Sequence, residues 1–304
     1  MVRHLQHSDI DKSKWDECIA TAHNSLVYGY SFYLDAVAGE WNAVVVNDYE
    51  AVMPLVWRRK FFITYLYQPA FTQQLGLFCK QPQEQEVYNE IEALLFSHYR
   101  FAEIFLNYGN TRCFRPGYCK QQVNYVVDIN KAYDAAATAY LPGFAKSLRR
   151  IAKFNFQYRE TEDIDEAITL YRQLYSNRVQ HLNNSDYNAF KYACIALQQR
   201  QMLVIRKAVD ENGNILALSL LFKDTRRLYN IISCITEKGR QLEVNYFLYD
   251  AIIREFCNKG LVFDLEGSDI KGVAEFYIKM NPVNQPYEFY KYNHLHPLLR
   301  LVKK

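Results

Sequence analysis

The apolar pattern of the chain predicts strands and helices in the same order twice. In each half, two strands rich in β-branched residues flank a polar turn, which indicates a hairpin. The turns are Asn47-Asp48-Tyr49-Glu50 and Asp210-Glu211-Asn212-Gly213, and the Asn-Gly of the second is a strong hairpin signal. A third strand, a helix and a further strand follow each hairpin. The first half has predicted helices over 11–23, 31–38 and 84–99 and strands over 41–46, 51–57, 62–67, 101–106 and 122–127. The second half has predicted helices over 164–176, 187–200, 242–258 and 272–280 and strands over 202–209, 214–222, 227–234, 261–265 and 287–290.

The two halves keep a nearly constant offset. The predicted hairpins start at residues 41 and 202, the long helices near 84 and 242, and the strands after them at 101 and 261. The closest local match is Phe105-Leu-Asn-Tyr-Gly-Asn110 against Phe263-Asp-Leu-Glu-Gly-Ser268. These offsets predict a tandem duplication, with an N-terminal domain over 1–135 and a C-terminal domain over 136–304. The junction is expected around Leu141-Pro142-Gly143.

Composition narrows the class of protein. Half of the 304 residues are hydrophobic and 23% are charged, so the chain has enough apolar residues for a sizeable core. The formal net charge of +3 does not by itself indicate nucleic acid binding. The seven scattered cysteines contain no C-x-x-C pair, which is typical of reduced thiols. No apolar run approaches the roughly 18–20 residues of a membrane span, and the first residues do not resemble a signal peptide. We therefore expect a soluble, cytoplasmic protein without membrane insertion.

Short motifs carry a resemblance to a known family. They are Met53-Pro-Leu-Val-Trp57, Lys146-Ser-Leu-Arg-Arg150, Phe263-Asp-Leu-Glu-Gly-Ser268 and Gly272-Val-Ala-Glu-Phe-Tyr277. With the order of the elements, they resemble the GNAT acyltransferase fold, and two copies in one chain resemble the tandem-GNAT proteins of the FemAB type and the BioF2-like or CelD-like acyltransferase domain. The resemblance implies an α/β (α+β) fold of two tandem GNAT-like domains, each a mixed, mostly antiparallel sheet flanked by helices. It also implies N-acyl transfer to an amine, with acyl-CoA or aminoacyl-tRNA as the donor.

The donor loop departs from the family pattern. A GNAT domain that uses acyl-CoA has Q/R-x-x-G-x-G/A before its long helix, where backbone N–H groups and the helix dipole hold the pyrophosphate. Here the stretch is Glu237-Lys-Gly-Arg-Gln-Leu-Glu243, with one glycine and with a carboxylate at Glu243 that competes with an anion. The first copy, Gln81-Pro-Gln-Glu-Gln-Glu86, has no glycine. The resemblance makes Lys238, Gly239, Arg240 and Asn245 the candidate donor-binding residues.

A basic stripe is the candidate acceptor-binding feature. Lys146, Arg149, Arg150 and Lys153 fall at i, i+3, i+4 and i+7, so on a helix they share one face. Such a face can grip a phosphate chain, and a solvated helix face is the alternative interpretation. Arg58-Arg59-Lys60 leaves the same two interpretations open, as a ligand site or as a charged strand end.

Glu266, Ser268 and Tyr249 are the candidate catalytic residues, and Asp264 and Gly267 are candidate substrate-binding residues. Asp264 and Glu266 lie two residues apart at the end of a predicted strand, where alternate residues share one face, and Glu266 is the candidate base. Ser268 and Gly267 would add polar and backbone contacts. The alternative is that the acidic pair binds arginines and fixes the loop. Tyr249 is the candidate for protonating a leaving thiolate, as a tyrosine does in many GNAT enzymes, and core packing is the alternative.

The leading hypothesis is an N-acyltransferase that uses acyl-CoA and acts on an amine of a small-molecule, cell-envelope or polysaccharide precursor. The second hypothesis is a FemAB-like ligase that uses aminoacyl-tRNA and acts on a peptidoglycan precursor, and the third is a non-catalytic ligand-binding module. His294-x-His296 lacks a third ligand, so we expect no metal. The absence of G-x-S-x-G, P-loop and G-x-G-x-x-G motifs argues against a hydrolase, an NTPase and a Rossmann oxidoreductase.

Overall fold

The computed structural model describes residues 1–60, 62–177, 179, 182–268 and 270–296. The helices in chain order are α1 (Lys12–Thr21), α2 (Ser31–Ala38), α3 (Gln85–His98), α4 (Tyr133–Thr138), α5 (Pro142–Ile151), α6 (Ile164–Tyr175), α7 (Asn184–Gln198), α8 (Glu237–Gln241), α9 (Val244–Phe256) and α10 (Lys271–Tyr277). The strands are β1 (Val2–Leu5), β2 (Asn42–Val46), β3 (Ala51–Leu55), β4 (Trp57–Lys60), β5 (Ile63–Tyr67), β6 (Phe78–Cys79), β7 (Phe101–Leu106), β8 (Cys119–Gln122), β9 (Tyr125–Asp128), β10 (Gln157–Thr161), β11 (Leu203–Val209), β12 (Ile215–Lys223), β13 (Arg227–Ile235), β14 (Val262–Asp264), β15 (Val283–Asn284) and β16 (Tyr287–Asn293). None of the helices in these ranges combines the length and the apolar character needed to cross a bilayer.

Helix starts and hairpin turns follow local chemistry. The carboxylate of Asp163 caps α6 by accepting from the N–H of Glu166 at 2.8 Å. Asn183 and Asp186 form a reciprocal capping box at the start of α7. In the second predicted turn, Gly213 adopts φ +83°, which glycine tolerates without a steric cost. Both predicted hairpins are present, as β2–β3 and β11–β12.

One compact unit comprises Met1–Gln122 and the described residues from Pro286 onward. It contains a sheet of order β1-β2-β3-β6 and a sheet of order β4-β5-β7-β16-β8. Strands β5 and β7 are parallel, and their neighbours in this second sheet pair antiparallel. Helix α3 buries Ile91 and Leu95 in the same apolar cluster as Met53 and Ala102.

The other compact unit is Val123–Gln285. Its sheet has the order β10-β11-β12-β13-β14-β9-β15 and is antiparallel except for the β13–β14 pair. Helix α9 packs Leu248 and Ile252 into the cluster that also contains Leu221 and Phe263. The helix therefore lies against the sheet, with its first turn near the end of β13.

The predicted fold class is confirmed, since each unit has a hairpin, one or more further strands, a helix and another strand in this order, and each contains a sheet with both parallel and antiparallel pairs. The compact units differ in extent from the domains predicted at 1–135 and 136–304. The reason is strand pairing: β9 pairs with β14 in the second unit, and β16 pairs with β7 in the first.

Two predicted strands are wrong as single elements. The run predicted at 51–57 forms β3 and β4, which belong to different sheets. The run predicted at 122–127 spans the end of β8 and most of β9, which belong to different units. An apolar pattern records burial, and it does not record the point at which the chain leaves one sheet for another.

Candidate functional site

The sheet of the second unit opens at one point along β13. In the described part of the chain, β13 pairs with β14 only from Arg227 to Tyr229. Beyond this point β13 continues to Ile235, while β14 ends at Asp264. The pairing of β13 with β12 also shifts register here, because Leu221 faces Asn230 and Leu220 faces Ile232. Such a bulge re-aims side chains, and here it lies where the two strands part.

A cavity of about 430 Å³ lies beside this opening. It is bounded by the end of β13, α8 and the start of α9, α10 and the end of α6. Its lining residues are Tyr175, Ser233, Ile235, Arg240, Glu243, Asn245, Tyr246, Tyr249, Gly272, Val273, Glu275, Phe276, Tyr277 and Lys279. The volume is within the roughly 300–1,000 Å³ of small-molecule sites.

Two buried phenols form the inner wall of the cavity. Tyr249 and Tyr277 are 2% and 4% exposed, and their hydroxyl oxygens lie 3.3 Å apart. The side-chain amide of Asn230 donates to Tyr249 at 2.7 Å and to Tyr277 at 2.9 Å. Because the amide fills an acceptor position on each oxygen, each phenol keeps its own proton available for donation.

Burial keeps both phenols protonated. Desolvation raises the pKa of Tyr249, and hydrogen bonds from its neighbours partly offset this rise. Desolvation also raises the pKa of Tyr277 well above its usual value, and the negative charge of Glu266 adds to the rise. Both groups are therefore proton donors at neutral pH.

Two cations lie at the rim of the cavity. Arg240 is exposed and donates to the hydroxyl of Tyr175 at 3.2 Å, and Lys279 donates to the hydroxyl of Tyr246 at 2.8 Å. An anionic part of a ligand would find positive charge on this side. Asn245 lies on the same lining, in the first turn of α9.

Glu243 begins α9 in a left-handed conformation, with φ +55°. The guanidinium of Arg150 donates to its carboxylate, with Nε 2.7 Å from Oε2. The positive charge of Arg150 therefore reduces the repulsion that the carboxylate of Glu243 was predicted to exert on an anionic donor. Arg150 is held by this ion pair and does not line the cavity among the described residues.

The predicted basic stripe is wrong in its last member. Helix α5 ends at Ile151, so Lys153 lies in the turn beyond it and not on the helix face. Lys146 and Arg149 are exposed on α5. Within the described ranges, none of these three residues lines the cavity.

Lys238 and Arg240 were both predicted to bind the donor, but they line different recesses. Lys238 lines a separate recess of about 330 Å³, which it shares with Lys153. Its ammonium donates to Asp210 at 2.6 Å, and this bond is the main cause of the strongly lowered pKa of Asp210. Arg240 alone of the two reaches the cavity lining.

Gly239 is buried and packs against strand β12. A Cβ atom at this position would lie 2.2 Å from the carbonyl oxygen of Leu216. Its N–H donates to the hydroxyl of Thr236 at 3.0 Å, as part of the cap of α8. The structure therefore uses Gly239 for close packing and its N–H for the cap.

The predicted strand face of Asp264 and Glu266 is wrong. Strand β14 ends at Asp264, and Glu266 and Gly267 both have positive φ, at 47° and 54°. Asp264 is 1% exposed and accepts from Arg227 at 2.6 Å and from Asn124 at 3.0 Å. This agrees with the alternative in which the carboxylate binds an arginine and fixes the loop.

The loop after β14 is fixed by Ser268. Its hydroxyl accepts from the N–H of Tyr125 at 2.9 Å, and the side chain is 5% exposed. Among the residues that the structure describes, neither Ser268 nor Glu266 is part of the cavity lining.

The structure brings three of the predicted residues, Arg240, Asn245 and Tyr249, into the lining of one cavity. No role was predicted for Asn230, Tyr277, Tyr175, Glu275 or Lys279. Asn230 had a usable signal, because it is a polar residue inside the apolar strand Leu228–Ile232. Tyr277 stood in a family-like motif but had no assigned role. Across the described ranges, no group of three His, Cys, Asp or Glu side chains is placed to hold a metal ion.

Comparison with known proteins agrees with the fold. Residues 139–276 match the family described as acetyltransferase (GNAT) domain. The crystal structure of FemX superposes with a TM-score of 0.70 at 11% identity, covering 97% of this chain and 99% of that chain. The C-terminal domain of a putative lysylphosphatidylglycerol synthetase from Agrobacterium fabrum has a TM-score of 0.59 at 11% identity, covering 96% of this chain and 94% of that chain. The structure of L-PGS from Bacillus licheniformis has a TM-score of 0.55 at 11% identity, with the same coverage. The curated proteins contain no match. The resemblance to tandem GNAT proteins is confirmed, and at these identities the solved structures show the fold alone.

Proposed function

We propose that this chain, whose residues 139–276 match the acetyltransferase (GNAT) domain family, is an N-acyltransferase that moves an acyl group from acyl-CoA to an amine. The acceptor class we propose is a cell-envelope or polysaccharide precursor in the cytoplasm. The observation that carries the proposal is the pair of protonated phenols, Tyr249 and Tyr277, on the inner wall of the cavity beside the start of α9.

The reaction needs a proton donor and a proton acceptor. The amine nitrogen attacks the thioester carbonyl carbon, the carbon–nitrogen bond forms, and the carbon–sulfur bond breaks. The departing thiolate takes a proton, and the amine loses one. Tyr249 would supply the proton to sulfur, with Asn230 fixing its hydroxyl and Tyr277 returning a proton to it across 3.3 Å.

A carboxylate would remove the proton from the amine. Glu266 stays our proposed base, and it is supported by the proximity of its charge to the phenol of Tyr277. Glu275 is the rival, because it lines the cavity itself. In this proposal, Gly267 and Ser268 shape the loop that carries Glu266, and Asp264 anchors that loop through Arg227.

The donor would lie along the rim of the cavity. Arg240 and Lys279 would meet its phosphates, and Asn245 would hold its carbonyl. Lys146 and Arg149 stay proposed contacts for an anionic acceptor, since both are exposed on α5.

A FemAB-like ligase that uses aminoacyl-tRNA and a peptidoglycan-precursor acceptor is the second candidate. One observation favours it over acyl-CoA. The position of a pyrophosphate-binding loop is taken by the carboxylate of Glu243, and the N–H of Gly239 already donates to Thr236.

The experiment is a thermal shift measurement on the purified chain with acetyl-CoA, longer acyl-CoAs, UDP-sugars and tRNA. A ligand at 100 times its dissociation constant stabilises the folded state by about 2.7 kcal/mol. A shift with an acyl-CoA supports the proposal, and it must be weaker for Arg240→Ala. A shift with tRNA alone, reduced steeply by salt, selects the ligase. Ligand binding without turnover of any amine selects the non-catalytic module.

A further inference from the structure

The hairpin of β4 and β5 in the first unit exposes an aromatic ring at its tip. Phe62 is 91% exposed and has φ +65°. A bulky residue in the left-handed region is strained, and glycine or asparagine would suit this turn better. The local fold therefore gains nothing from a phenylalanine here, neither from burial nor from backbone preference.

Three exposed cations precede this ring on β4. They are Arg58, Arg59 and Lys60, and they continue directly from the first hairpin of the chain. The guanidinium of Arg58 lies 4.0 Å from the centre of the Tyr67 ring, and that of Arg59 lies 5.9 Å from the centre of the Phe62 ring. We call Arg58, Arg59, Lys60 and Phe62 the hairpin-tip surface.

A basic recess adjoins the hairpin-tip surface. It has a volume of about 510 Å³, and Phe62 is part of its lining together with His98, Arg100, His294 and His296. The recess therefore offers a fixed positive charge and imidazole groups beside an exposed apolar ring. Phosphate groups fit such a lining, since Arg and His donate hydrogen bonds to phosphate oxygens.

We propose that the hairpin-tip surface docks on an anionic lipid bilayer, with the ring of Phe62 at the boundary between headgroups and acyl chains and the basic recess holding a lipid phosphate. An aromatic ring beyond a row of cations is the arrangement that peripheral binding needs, because the ring enters the interface while the cations meet anionic headgroups. Single-stranded RNA is less well matched, because RNA-binding grooves combine several aromatic platforms along a basic track. Among the described residues between β4 and β5, the hairpin-tip surface presents a single exposed ring, that of Phe62.

Cosedimentation with vesicles tests this docking. The full chain is mixed with phosphatidylcholine vesicles with and without phosphatidylglycerol, at low and high salt, in the absence of any acyl donor. We expect binding to the phosphatidylglycerol vesicles that falls with salt. The variant Arg58→Gln/Arg59→Gln/Lys60→Gln should bind about a hundredfold more weakly, which corresponds to about 1 kcal/mol per basic residue near an anionic surface. Phe62→Ser should weaken binding about tenfold, because the variant no longer buries an aromatic ring in the membrane interface.

Matched variants in the second unit control for charge and aromatic content. Arg159→Gln/Arg200→Gln/Lys259→Gln removes three exposed cations, and Tyr192→Ser removes an aromatic ring that is 67% exposed. Both should bind vesicles like the wild type. The proposal is overturned if the wild type does not cosediment with the phosphatidylglycerol vesicles, or if the hairpin-tip variants bind these vesicles as tightly as the control variants do. The proposal is also overturned if the chain does not bind vesicles but is stabilised against thermal unfolding by inorganic phosphate, or if it does not bind vesicles but binds tRNA. Since no donor is present, the outcome is independent of the proposed acyl transfer.

Discussion

The hydroxyl groups of Tyr249 and Tyr277 lie 3.3 Å apart on the wall of the cavity, and one amide, that of Asn230, donates to both. The amide oxygen of Asn230 is buried without a hydrogen-bond partner. A buried polar atom in this state costs stability, so the arrangement is more than packing. It fixes two phenol protons at one point and fits a site that delivers a proton.

Replacing Tyr249 with phenylalanine tests this role. Tyr249→Phe removes the hydroxyl and keeps the ring, so we expect acyl transfer to fall by about 100- to 10,000-fold, the range for general acid catalysis. Donor binding should change little. The measurement is kcat and KM with the donor identified by thermal shift, together with a urea denaturation curve.

Tyr140→Phe is the matched control. Tyr140 is 8% exposed and shares one acceptor, Asp250, with a second phenol, that of Tyr133. It lies outside the lining of the cavity in the described ranges. It should lose about as much stability as Tyr249→Phe and keep its activity. Equal losses of activity in the two variants would remove the proton-donor assignment.

The ion pair of Asp264 and Arg227 should be structural. The two side chains are 1% and 6% exposed, with Oδ2 2.6 Å from Nη1. Asp264→Ala leaves a buried arginine without its carboxylate, so we expect a loss of about 3–5 kcal/mol in the free energy of unfolding. Asp165→Ala breaks the exposed pair with Lys191 and should cost less than about 1 kcal/mol. Denaturant unfolding measures both, and a stable but inactive Asp264→Ala would restore Asp264 as a substrate contact.

Gly239 and Gly143 should respond to alanine with opposite signs. A Cβ at Gly239 would meet the carbonyl of Leu216 at 2.2 Å, so Gly239→Ala should destabilise the chain by about 1–3 kcal/mol. Gly143 lies in α5 with open space around its Cβ position, so Gly143→Ala should stabilise the chain by up to about 1 kcal/mol. If Gly239→Ala has the denaturation midpoint of the wild type and loses only donor affinity, Gly239 binds the donor and its close packing against Leu216 is not what requires glycine.

Local chemistry explains why much of the fold was predictable. The Asn-Gly turn and the spacing of Ile91 and Leu95 are encoded within a few residues, and the hairpin and the helix formed as expected. The constant offset between the two halves was also predictable, because it depends only on the order of such elements along the chain. The sequence did not predict that β9 pairs with β14 or that β16 pairs with β7. These pairings depend on contacts between residues that are far apart in sequence.

The site was less predictable for the same reason. Tyr249 was found because helices of the resembling family carry a tyrosine there, whereas its partners Asn230 and Tyr277 come from β13 and α10. Arg150 was assigned to a ligand from helical spacing, but its partner is Glu243, 93 positions away. Charge patterns along one element show which cations exist, and the fold decides which of them are already paired.

The carboxylate of Glu243 should control donor affinity. It lies at the start of α9, where the helix dipole favours anions, and it lines the cavity. Glu243→Gln removes the negative charge and releases the guanidinium of Arg150, so acyl-CoA should bind about fivefold more tightly, which corresponds to about 1 kcal/mol for one charge at a helix N-terminus. Isothermal titration at low and high salt measures this change, and the gain should shrink with salt. Glu237→Gln, in the first turn of α8, is the control and should leave the affinity unchanged. If Glu243→Gln binds acyl-CoA no better than Glu237→Gln does, the phosphates of the donor do not lie at the start of α9, and the ligase that uses aminoacyl-tRNA becomes the better account of this cavity.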